Sequence, residues 1–86
     1  MNKEFIIANE QGLHARPATM LVNLANSFKC DITLTYNGIS VDLKSIMGVL
    51  SLGVKRGSQV TIDFSGEDEN DAFAAISKQL TSFNLR

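Results

Sequence analysis

The 86-residue sequence contains no tryptophan and only one histidine, one cysteine, one proline and one tyrosine. A single cysteine, Cys30, rules out an internal disulfide, and the paired-cysteine spacing of a structural zinc site is missing as well. Cys30 reads as a small residue at the start of a strand, and a reducing cytoplasm suits such a chain. Positive charge is not in surplus. Eight Lys and Arg against nine Asp and Glu leave a formal net charge of −1, which argues against wholesale nucleic-acid binding. Long apolar runs are absent too: MNKEFIIANEQ is too short in hydrophobic residues for a signal peptide, and no segment approaches the ~18 apolar residues of a membrane span. A soluble, unexported protein without membrane insertion is expected. No glycine-rich phosphate loop, internal repeat, linker or low-complexity tract occurs.

What is present is an ordinary globular composition, 44% hydrophobic and 20% charged. A chain of this size buries only roughly 60 to 65% of its unfolded surface, too little to divide between two cores, so residues 1–86 are read as one domain. Lys3 to Ala8 reads as a short strand closed by Asn9, Glu10, Gln11 and Gly12. Ala18, Leu21, Val22 and Ala25 then fall at i, i+3, i+4 and i+7, the face of a helix from about Ala15 to Ser27. Asp31 to Tyr36 and Ile39 to Leu43 alternate around Asn37-Gly38, the signature of a type I′ hairpin. Ser45 caps a short helix carrying Ile46, Val49 and Leu50, which Gly53 ends. Gln59 to Ser65 alternates once more. The acidic run from Glu67 to Asp71 then opens a helix through Phe73, Ile76, Leu80 and Phe83, and its charges read most simply as a solvated helix start. The order is βαββαβα, an α+β chain with an antiparallel or mixed sheet, helices on one face and water on the other.

The histidine lies in GLHARPATM, separated from a helix-start proline by two residues, one of them an arginine. Pro17 pins the helix start, since its ring fixes φ and its missing N–H would have been unpaired there. Backbone N–H groups of the first turn then face the neighbourhood of His14 with no intrahelical partner. A neutral imidazole is a nucleophile near pH 7, and a phosphoryl group on it would stand where those N–H groups point, with Arg16 adding charge. An exposed loop histidine beside a solvated arginine fits the residues equally. No second histidine or other acid–base group accompanies it in sequence, so a phosphohistidine hydrolase is disfavoured. A small ligand-binding or RNA-binding domain is the alternative of another class, but Tyr36 and Phe64 fall on the inward alternation rather than on an exposed sheet face.

GLHARPAT resembles the phosphorylation-site signature of HPr, the histidine-containing phosphocarrier family of the phosphoenolpyruvate-dependent sugar phosphotransferase system. YNGISVDLKSIMGVLSLG is similar to that family's regulatory serine region, and the βαββαβα order matches its open-faced β-sandwich, a four-stranded antiparallel sheet with three helices on one face. The resemblance implies that His14 takes a phosphoryl group on Nδ1 from phosphorylated enzyme I and passes it to the EIIA domains of sugar permeases. Arg16 would assist, and Ala15 and Pro17 would support the helix start. It implies that Ser45 is phosphorylated by an ATP-dependent HPr kinase/phosphorylase, as in low-GC Gram-positive bacteria, and then docks on a catabolite-control transcription factor, linking the protein to carbon catabolite repression. Relatives that keep the serine but lack the histidine are regulatory only. No cofactor or metal is implied; a monomeric carrier, not an enzyme, is expected. Gln11 departs from the asparagine or serine common near the histidine. The expected docking face joins Thr19 and Met20 to Ile46, Met47 and Leu50, bordered by Lys44, Lys55 and Arg56.

Overall fold

The computed structural model describes residues 1–8, 10 and 12–84. Alternation of apolar and polar residues builds the sheet. β1 (Asn2–Ile6), β2 (Asp31–Tyr36), β3 (Ile39–Asp42) and β4 (Gln59–Ser65) lie in the order β1-β4-β2-β3, each neighbouring pair antiparallel. Register aligns the apolar positions: Phe5 faces Val60, Leu34 faces Ile62 and Ile32 faces Phe64 across the ladder. Directly opposite residues share a face, so one side of the sheet is a continuous apolar layer. On the other side Thr35 pairs with Thr61 and Ser40, and Thr33 with Asp63 and Asp42; this face is polar and carries neither Tyr36 nor Phe64. Asn37 and Gly38, at φ 51° and 78°, make the hairpin turn as their residue types require.

The helices α1 (Ala15–Ala25), α2 (Ile46–Ser51) and α3 (Glu69–Asn84) complete the βαββαβα order. α1 buries Ala18, Leu21, Val22 and Ala25, the stripe read from spacing. α3 buries Ala72, Ile76 and Leu80, and the Phe73 ring meets Phe64 edge to face at 5.6 Å. Phe64, 1% exposed, is the largest fully buried side chain; such a group contributes about 1.5–3 kcal/mol by its burial.

Two sequence expectations change. Pro17 occupies the third rather than the first helical position, because α1 begins at Ala15; its absent N–H is still one of the unpaired first-turn donors. Ile39, which alternates with Val41 and Leu43, is 58% exposed, since it stands at the hairpin end of the edge strand β3. The acidic run is not merely solvated. Asp68 accepts hydrogen bonds from the Lys29 and Cys30 amides, both at 2.8 Å, and Glu69 accepts from the Gly66 amide at 3.1 Å and faces the terminal ammonium at 3.8 Å. The Lys29 amide holds the Asp68 carboxyl below its ordinary value, with the Cys30 amide adding to the effect, while burial raises the Cys30 thiol, aided by the neighbouring Asp68 carboxylate.

Candidate functional site

The segment leading to α1 is stitched to the 53–58 loop. The Ile7 amide donates to Ser58 at 2.9 Å, the Gly57 amide to Ile7 at 2.6 Å, and the Leu13 amide to Val54 at 3.1 Å. Gly12 makes this approach possible: it is buried, has φ +63°, and a side chain there would run into the Val54 carbonyl. Leu13 is buried beside it. The 53–58 loop therefore holds the backbone that leads into the histidine.

His14 is the N-cap of α1, with φ −93° and ψ −171°. Its carbonyl accepts from the Ala18 amide at 2.9 Å, but its ring makes no capping hydrogen bond and the first turn contains no acidic residue. The imidazole is exposed. An uncapped first turn leaves N–H donors and the positive end of the helix dipole at the foot of a free ring, an arrangement that favours an anion by roughly 0.3–1 kcal/mol at a surface site.

His14 forms one wall of an open cleft of about 390 Å³. Leu13 and Glu10 share its side of the cleft; Leu50 of α2 and Gly53, Val54, Lys55 and Arg56 of the following loop face them. Gly53 takes φ +61° just past the end of α2, as the sequence implies, and so turns the chain towards His14. Arg16, one turn position inside α1, is exposed and is not a wall of this cleft. Lys55 and Arg56 thus line the cleft with the histidine, whereas Lys44 does not: its ammonium donates to the Phe28 carbonyl at 2.8 Å. The parts that sequence reasoning missed are Glu10 and Val54 as walls and Gly12 as the close-packing residue. The positive φ of Gly12 had no signal beyond the glycine itself.

Ser45 caps α2 as expected, its hydroxyl accepting from the Gly48 amide at 3.1 Å, and it is exposed. Of the expected docking face, Met20, Met47 and Leu50 are exposed, Met47 at 77%. Ile46 instead packs partly against the core, and the exposed Thr19 hydroxyl is held by the Ala15 carbonyl at 2.8 Å. Asn26 ties α1 to the segment before α2 through the Lys44 carbonyl at 3.0 Å. Gln11 lies outside the described residues.

Comparison with known proteins gives a direct match: the family described as "PTS HPr component phosphorylation site" covers residues 1–82. The chain belongs to the HPr family. HPr-C-His from Thermoanaerobacter tengcongensis superimposes with a TM-score of 0.94 at 37% identity, over 98% of this chain and 94% of that one. The histidine-containing phosphocarrier protein of a Mycoplasma matches with a TM-score of 0.94 at 36% identity, over 99% and 97%. Crh of Bacillus subtilis, a catabolite-repression protein described as a domain-swapped dimer, matches with a TM-score of 0.76 at 37% identity, over 98% and 97%. The four-stranded antiparallel sheet with three helices is the HPr fold, and HPr proteins are phosphocarriers of the phosphotransferase system. Among the described residues, no group of three or more His, Cys, Asp or Glu is placed to hold a metal ion, and no helix is long and apolar enough to cross a membrane.

Proposed function

We propose that this chain relays phosphoryl groups through His14, accepting them from phosphorylated enzyme I and delivering them to EIIA domains of sugar permeases. The observation that carries this reading is the exposed N-cap imidazole with no capping bond at an acid-free helix start. Nδ1 forms the new bond to phosphorus as the donor's bond to phosphorus breaks, and the imidazole proton leaves for solvent or the donor's released group. The first-turn N–H groups and Arg16 receive the added negative charge. Each contact is weak at a surface, which suits a group that must be handed on. The chain carries the phosphate without a turnover of its own, as a monomer in the cytoplasm. Met20, Met47 and Leu50 supply the adaptable apolar part of the docking face, with Thr19 and Ile46 at its margin.

Ser45 is the regulatory site in this reading. It is exposed, and its phosphorylation by an ATP-dependent kinase adds roughly −1.5 to −2 charges at the start of α2 with little change of fold. That charge repels enzyme I on the approach to His14 and creates a docking determinant for a catabolite-control transcription factor. A regulatory-only role is the second reading, raised by the likeness to Crh; the intact GLHARPAT segment with its exposed histidine argues against it.

The experiment is incubation with phosphoenolpyruvate and enzyme I, read by intact mass before and after acid. The expected result is one acid-labile phosphoryl group, absent in His14→Ala. Native protein that gains none contradicts the carrier reading and leaves the regulatory one. A parallel incubation with ATP and the kinase is expected to give an acid-stable phosphate lost in Ser45→Ala.

A further inference from the structure

From the walls of the His14 cleft we infer that Lys55 and Arg56 are phosphoryl-positioning residues, a cationic pair that faces the phosphohistidine from the loop opposite α1. This rests on His14 as the acceptor and adds a second source of charge. Arg16 stands on the helix side, whereas Lys55 and Arg56 wall the approximately 390 Å³ cleft with His14. The hydrogen bond from the Leu13 amide to Val54, 3.1 Å long, fixes the two loops relative to each other, and the tight seat of Gly12 against Val54 and Lys55 backbone keeps them close. A dianion on the ring therefore meets positive charge from two directions. Both cations are exposed. Glu10 walls the same cleft and opposes the dianion. Such a pair stabilises the dianionic phosphoryl group over its protonated form.

The test uses potassium phosphoramidate as donor, so it needs no partner protein and stands or falls separately from transfer by enzyme I. His14 Nδ1 bonds to phosphorus, the P–N bond of the donor breaks, and the nitrogen leaves as ammonium with the imidazole proton. The ³¹P shift of the adduct is then followed against pH in the full-length chain. The double variant Lys55→Gln, Arg56→Gln is expected to move the midpoint of the phosphoryl titration up by roughly half a pH unit at low salt, an effect that shrinks as salt is added. The charge-keeping variant Lys55→Arg, Arg56→Lys is expected to retain the native midpoint, and Glu10→Gln to move it down. Amide spectra establish that each variant is folded. An unchanged midpoint in the folded double variant, an effect confined to Arg16→Gln, or failure of His14 to form the adduct would overturn the assignment.

Discussion

At the start of α1 the N-cap is a histidine whose ring caps nothing and the first turn has no acid, whereas at the start of α3 Glu69 and Asp71 occupy the first turn and the Asp68 and Glu69 carboxylates are hydrogen-bonded. Asp68 takes two amides of the α1–β2 connection, and Glu69 takes the Gly66 amide and the terminal ammonium. Each region also depends on a glycine pressed against a neighbouring loop: Gly12 against Val54, and Gly66, whose added Cβ would stand 2.7 Å from Cys30. The same physics of a helix N-terminus serves two ends. Where carboxylates at a helix start tie it to a neighbouring loop the corner is a structural knot; where the start has neither cap nor acid, beside a nucleophilic ring, an incoming anion completes its N–H donors.

The glycines give the largest expected effects and divide the two regions most sharply. Gly12→Ala and Gly66→Ala each combine an unfavourable positive φ with a clash, and each is expected to lower stability by about 3 kcal/mol in urea melts. In the folded fraction, however, Gly12→Ala slows phosphoryl uptake from enzyme I by displacing His14, while Gly66→Ala leaves the uptake rate native. Equal slowing in both would erase the distinction.

Next comes acid. The Asp68 carboxyl is held down by the Lys29 and Cys30 amides in the folded state, so its stabilisation is complete above the unfolded pKa, roughly pH 4, and is lost as pH falls through the lower folded pKa. Asp68→Asn is expected to flatten the acid limb of the urea midpoint between pH 5 and 2 without altering transfer to His14. A steeper acid limb in the variant would contradict the knot. Ser45→Ala, which removes the α2 cap, costs about 1 kcal/mol of stability, whereas Ser45→Asp retains stability and lowers kcat/KM with enzyme I. Smallest in stability is Met47→Ser, expected within about 0.5 kcal/mol of native because the side chain is 77% exposed, yet weaker in partner binding by calorimetry.

The periodic elements were legible in the residues. Alternation in Asp31 to Tyr36 and Gln59 to Ser65 located β2 and β4 to the residue, and Asn37-Gly38 located the hairpin, because those signals are local. The position of His14 before α1 and the cap by Ser45 were legible for the same reason. What spacing concealed was long-range. Nothing near Asp68 in sequence announces a bond to amides 38 and 39 residues away, and Lys55 and Arg56, expected only at the border of the docking face, line the His14 cleft itself. Alternation assigned Ile39 a face but not the extent of its cover, and Pro17 was placed too early because its preference spans the whole first turn, whose N–H positions have no intrahelical partner.

The central claim is that the open start of α1, and not the acidic start of α3, receives the phosphoryl group carried by His14. Amide ¹H–¹⁵N spectra of the native protein, recorded before and after phosphorylation by enzyme I and phosphoenolpyruvate, test it directly. The account predicts large downfield proton shifts confined to the first turn of α1, at Ala15 and Arg16, with Asn70 and Asp71 of α3 unmoved. Phosphorylated His14 with unshifted Ala15 and Arg16 amides would contradict it.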